Sequence, residues 1–355
     1  MYTGSYMRSV LQLTLVLALV AAAVAPSKLL AQSDPDALHL TTSPLPISLK
    51  TKPGQTIETE LRVRNSGTVT ERLKVGLMKF TAYGEEGKPE LKEREPNDDY
   101  FDWVKFSQTE FDAPPNEWQS IKMSIAVPQD AAFGYYYAAT FSRAHPDTRP
   151  DKSKTAVRGG TATLVLLEAD VPNAKREVSL EDFQVGKRTY EFLPARFSVK
   201  LKNTGNIHTA PTGTIFISRG GKQVATVTVN STSGNILPGS SRVFQAEWSE
   251  GFPVYRLKEA NGAAVLKDGK PTYNLEWDLG QLKRLRLGKY TATVVMAYDN
   301  GQRDVPLEAS VSFWVIPWRL IAVTIAVPAV PSLAVYLLMR RRVKNLKKER
   351  HEQKV

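Results

Sequence analysis

Apolar and polar residues alternate with a period of two through much of the chain between residues 46 and 315. In "TIETELRVRNSG", Ile57, Thr59, Leu61 and Val63 fall on one side, and Glu58, Glu60, Arg62 and Arg64 on the other. Successive side chains of an extended strand point to opposite faces, so this alternation predicts a half-buried antiparallel strand. Similar runs predict strands at 46–51, 56–65, 70–81, 118–127, 134–143 and 158–169. A second set follows at 178–188, 195–203, 213–219, 223–230, 241–248, 289–298 and 307–315. No convincing amphipathic helix separates them. Short strands at this spacing predict β-sandwiches.

The order of motifs repeats. "VRNSG" is followed by "APPNEWQSIKMSIAVP" and "GYYYAATF"; "LKNTGN" is followed by "LPGSSRVFQAEW" and "GKYTATVVMAY". Each series runs from a strand into Asn-Ser/Thr-Gly, then through a Pro turn to a strand and a Gly-x-Tyr strand. The predicted fold class is all-β, with two tandem immunoglobulin-like β-sandwich domains over 32–172 and 173–315. Their linker lies around "ADVPNAKREV". Asn65, Gly67, Asn203 and Gly205 are assigned as structural turn residues. The two glycines are expected to hold positive φ at the ends of equivalent hairpins. On that expectation Gly67→Val and Gly205→Val destabilise their modules, and Asn65→Ala costs less because it removes only a local hydrogen bond.

Both ends of the chain have membrane patterns. Arg8 precedes an apolar run at 10–24 and a stretch of small residues, which predicts a signal peptide over 1–31 cleaved after Ala31. Residues 320–339 carry no charge and are long enough to cross a bilayer, with Pro328 and Pro331 inside and Trp314 and Trp318 before them. A C-terminal transmembrane helix is expected at 316–339. The tail, 340–355, has eight Lys and Arg against two Glu, so the positive-inside rule keeps it cytoplasmic. These patterns predict a single-pass protein of the cell membrane with both sandwiches extracytoplasmic. Membrane lipid is an expected partner through the span and the basic tail.

Charge and composition narrow the function. The net charge of +11 would suit a nucleic-acid binder, but about half of the excess sits in that tail, so nucleic acid is not expected. There is no cysteine, which removes disulfides and thiolate metal sites. His39, His145, His208 and His351 are not at ligand spacing, and no Gly-rich phosphate loop follows a strand. No catalytic residue, metal site or cofactor is assigned, and a non-enzymatic protein is expected. Residues 85–99 mix both charge signs and are expected to form an exposed insertion. Residues 145–155 are expected to be a mobile hairpin tip. Residues 254–274, with Asp268-Gly269, are expected to form a small extra hairpin. Tyr83, Tyr100 and Trp103 flank the charged insertion, and Tyr136 points away from Tyr135 and Tyr137. These four aromatics are the ligand-binding candidates, with core packing the plainer reading.

"SPLPISLKTKPGQTIETELRVRNSG" and "AVPQDAAFGYYYAATFS" resemble the extracellular family of WxL-interacting proteins. The family layout is similar too: signal peptide, two immunoglobulin-like domains, one span and a short basic tail. The resemblance covers most of residues 43 to 170; the second half matches in layout alone. It implies that the first domain binds peptidoglycan and surface proteins, and the second a host or partner. The expected partner is therefore a cell-wall polymer or a surface protein. Its matching motifs are turn and core residues, so no binding residue carries over. Pilus-assembly chaperones share the two-sandwich plan but lack the span. The alternative function is an accessory or assembly subunit of a membrane complex.

Overall fold

The computed structural model describes residues 38–145, 160–260 and 262–352, with side chains to residue 342. The expected signal peptide and nearly all of the 145–155 tip lie outside these residues.

The first sandwich contains β1 (Leu40–Ser43), β2 (Ile47–Thr51), β3 (Thr56–Asn65), β4 (Glu71–Tyr83), β5 (Lys88–Lys92), β6 (Val104–Phe106), β7 (Glu110–Ala113), β8 (Trp118–Ala126), β9 (Gly134–Arg143) and β10 (Gly160–Ala169). One sheet has the order β1-β3-β8-β6. The other runs β2-β10-β9-β4-β5, with β7 also on β4. Alternation along β3 puts Leu61 and Val63 inward, where they meet Ile121, Met123 and Ile125 of β8 and Tyr137 and Phe141 of β9.

The second sandwich contains β11 (Val178–Val185), β12 (Thr189–Tyr190), β13 (Ala195–Asn203), β14 (Thr212–Arg219), β15 (Lys222–Val229) and β16 (Ser241–Trp248). A side hairpin follows. It pairs β17 (Val254–Leu257) with β22 (Tyr273–Glu276), and is extended by β18 (Glu259–Ala260), β19 (Ala263–Ala264), β20 (Leu266–Lys267) and β21 (Lys270–Pro271). Asp268 and Gly269 turn it with φ of 52° and 73°, as the Asp-Gly signal predicts. β23 (Gly288–Asp299) and β24 (Asp304–Val315) complete the module. Its sheets are β11-β13-β16 and β12-β24-β23-β14-β15, around Phe197, Trp248, Tyr290 and Phe313.

The internal repeat is explicit in the topology. In each module one N-terminal strand pairs antiparallel with the strand that ends in Asn (β1 on β3, β11 on β13). The next strand crosses to the other sheet and pairs parallel with the last strand (β2 on β10, β12 on β24). The intermodule stretch is pinned: Asn206 Oδ1 accepts from the Lys175 amide, and Asn206 Nδ2 donates to the Asn173 carbonyl. Arg176 also forms an ion pair with Glu168.

The repeated turn differs from expectation in two ways. It joins opposite sheets, because β3 pairs with β1 and β8 and not with β4; it is not a hairpin. Neither Gly67 nor Gly205 has positive φ. The asparagine carries the turn. Asn65 is buried, donates through Nδ2 to the Val69 and Ala113 carbonyls, and accepts from the Gly67 amide at 2.9 Å. Asn203 does the same with Ile207, Ile236 and the Gly205 amide. A side-chain oxygen that bonds the amide two residues on makes an Asx-turn, which removes the need for a left-handed residue.

The C-terminal helix α1 (Trp318–Glu352) includes Pro328 and Pro331. No residue of its apolar part, Trp318–Arg342, is buried. At 1.5 Å per residue this stretch is about 37 Å long, enough for a hydrocarbon core of about 30 Å.

Candidate functional site

The outer face of the β2–β10 sheet is apolar where solvent would favour polar groups. Register aligns Leu91 of β5 with Phe80 of β4, and Leu166 of β10 with Tyr136 of β9. Phe80, Ala138 and Leu166 are buried there, with Met78, Tyr136, Ala162 and Leu164 around them. The second module supplies part of the cover, because Leu237 packs onto this cluster. The cover is incomplete. A cleft of about 640 Å³ remains between the modules, with Phe80, Leu91, Leu164 and Leu166 on one wall and Ile236, Leu237 and Arg242 on the other. That volume is in the range of ligand sites.

Contacts at one side fix the two walls together. The turn between β4 and β5 reaches β16, where the Val243 amide donates to the Glu85 carbonyl at 2.7 Å. The Glu85 carboxylate pairs with Lys200 at 2.8 Å. At the other side, the His208 amide donates to the Tyr136 hydroxyl at 3.1 Å, and the two rings meet edge to face. Burial pushes the Tyr136 phenol well above its ordinary pKa.

Two cations line the cleft: Lys88, which pairs with Glu86 at 2.6 Å, and Arg242. The Arg242 guanidinium donates to the Asn235 carbonyl at 2.8 Å and lies over the Phe244 ring. It fits against Gly87 and Gly234, where an added Cβ would meet it. It forms no ion pair with a carboxylate among the described residues, and burial lowers its pKa. Such a group gains most by accepting an anion from outside. Beside it, β2 covers only residues 165–169 of β10. The edge of residues 160–164 has no strand partner among the described residues.

His208 makes this junction sensitive to acid. Burial lowers its pKa from 6.5 to about 4; Glu168 acts to raise it and Arg176 to lower it. Its Nδ1 has no partner among the described residues. A histidine depressed in the folded state contributes stability that is fully present above its unfolded pKa and is lost as pH falls from about 6.5 towards about 4. The loss is at most about 3 kcal/mol. Urea unfolding of the full chain at pH 7 and pH 5 should show this destabilisation, and His208→Gln should flatten the slope.

The four aromatic candidates do not come together as one site. Tyr83 is 63% exposed at the end of β4. Tyr100 and Trp103 pack on the first core and on Tyr135. Tyr136 lies at the module junction. The cleft residues Phe80, Leu91, Leu237 and Arg242 were not legible as a group. The available signal was in β9 and β10, where "YYYAA" and "TLVLL" are apolar on both faces, the mark of a strand covered on both sides.

No family model matches the chain, and no curated protein matches it. Solved structures similar to it include the class 5 fimbriae chaperone CfaA, at 13% identity and a TM-score of 0.36, covering 77% of this chain and 98% of that one. The E. coli chaperone DraB is similar at 14% identity and a TM-score of 0.31, covering 77% and 98%. A chaperone–tip adhesion subunit complex, CsuC–CsuE from Acinetobacter baumannii, matches at 12% and 0.34, covering 76% and 97%. At these identities and scores the likeness says nothing of ligand or partner.

Proposed function

We propose that the chain is a non-enzymatic, single-pass membrane protein that holds a segment of another protein in the cleft between its sandwiches, as an accessory or assembly subunit at the cell surface. The observation that carries this reading is Arg242, a cation without a carboxylate partner among the described residues, at a mostly apolar cleft. Mostly apolar walls and a cation that no carboxylate neutralises suit a polypeptide with apolar side chains and a carboxylate. A glycan polymer suits such a cleft less well, because its lining includes no Tyr or Trp on which a sugar ring could stack. The edge of β10 at residues 160–164, which has no strand partner among the described residues, borders the cleft through Ala162 and Leu164. An extended segment could add there by backbone hydrogen bonds and place alternate side chains in the cleft.

The test is a photoreactive residue at Leu91 of the full-length chain in cells. A crosslinked protein partner is expected, and Arg242→Glu should abolish the adduct while melting temperature stays close to that of the parent. An adduct that survives Arg242→Glu unchanged would overturn the reading.

A further inference from the structure

The chain has a second exposed apolar surface, at the end of the molecule from which α1 departs. β24 runs into Ile316, Pro317 and α1, and Gly288 at the start of β23 lies opposite Val315. The segment that leads into β23 therefore emerges beside the root of the helix. That segment reads "WDLGQLKRLRLGK", residues 277–289. A short 3-10 turn, Leu279–Arg284, opens it, with the Asp278 carboxylate accepting from the Gly280 amide. No side chain of this turn is buried. Leu279 is 75% exposed and Leu282 58%, and Leu285 and Leu287 are also exposed. On the same end, Trp314 and Trp318 are exposed.

A surface loop rarely leaves four leucines in water without a partner. The charges around them indicate which partner. Lys283, Arg284 and Lys289 form no ion pair among the described residues. Two nearby acids are engaged: Asp278 caps the turn, and Glu191 pairs with Arg319 at 3.5 Å. Arg286 is held by the Glu250 carbonyl and stacks on Trp248. Leucines interleaved with free cations, with tryptophans alongside, have the composition of a segment that lies in a bilayer interface.

We propose that residues 277–289 are a second membrane contact of this protein. Leu279, Leu282, Leu285 and Leu287 enter the boundary between headgroups and acyl chains, and Lys283, Arg284 and Lys289 meet anionic phospholipid headgroups. The inference rests on α1 crossing the same bilayer, which brings the loop to its surface. Such a contact holds the second sandwich against the membrane and sets the direction in which the cleft opens.

The absence of cysteine makes the test direct. Single variants Leu282→Cys, Ser332→Cys and Gln302→Cys of the full-length chain are labelled with an environment-sensitive fluorophore. They are reconstituted in nanodiscs of phosphatidylcholine and phosphatidylglycerol that carry a nitroxide lipid quencher. Residue 332 reports the span, and residue 302 lies in the β23–β24 turn at the far end of the sheet. The expected result is strong quenching at 332 and 282 and none at 302. Lys283→Glu with Arg284→Glu should remove most of the quenching at 282 and leave that at 332. Quenching at 332 with none at 282 would overturn the proposed loop contact alone. Absence of quenching at 332 would overturn the span, and the loop contact with it.

Discussion

Replacing Asn203 by alanine should destabilise the second sandwich by about 3 kcal/mol or more, and Asn65→Ala should do the same to the first. Each side chain is buried and makes three hydrogen bonds to the main chain. Without it, the Ile207 and Ile236 carbonyls and the Gly205 amide lose a partner in one module, and the Val69 and Ala113 carbonyls and the Gly67 amide in the other. A buried polar group left unpaired costs about 1–3 kcal/mol, so the sum is large even after partial relaxation. Asn65→Asp is the sharper variant, since it puts an acceptor where two carbonyls need a donor. Thermal unfolding of the full chain should show two transitions, of which each substitution lowers one. A loss below about 1 kcal/mol at both sites would contradict the assignment, because that is the cost of an ordinary exposed hydrogen bond.

The glycines that follow should behave unequally. Gly205→Ala should cost about 2 kcal/mol or more, because its Cβ would collide with the Lys175 carbonyl and stand 2.8 Å from the Glu177 amide nitrogen. Both obstacles are backbone of the intermodule stretch, which cannot swing aside like a side chain. Gly67→Ala should cost at most about 1 kcal/mol. Its Cβ meets only the Asn65 side-chain oxygen, at 3.0 Å. Equal losses at the two sites would show that backbone conformation, not the close approach of Lys175, requires glycine.

The regular strands were legible because their burial alternates. β3, β9, β13 and β16 have the bounds that their patterns predict. Leu40–Ser43 was missed because its one buried side chain is Thr42, a residue no hydrophobic pattern marks. β5 was missed because all five of its residues are exposed, so nothing alternates. The insertion at 85–99 was expected to be exposed. Its charges are exposed for the most part, but Glu85 docks on the second module and Lys79 holds Asp98 at 2.8 Å. The repeated Asn-x-Gly was visible as a repeat, yet sequence alone assigned the constraint to the wrong residue. Only the fold shows that the asparagine amide ties its own turn to a segment remote in sequence, at Ala113 in one module and Ile236 in the other. The cleft is a relation between modules: Leu91 and Arg242 are far apart along the chain, and each reads alone as an ordinary surface position.

The most direct test of the account is the chemical identity of what occupies the cleft. Mass spectrometry of the product crosslinked through Leu91 should identify a peptide, apolar and bearing a carboxylate near the attachment point. A muropeptide or other glycan at that position, in place of a peptide, would contradict the assignment of the cleft to a protein partner.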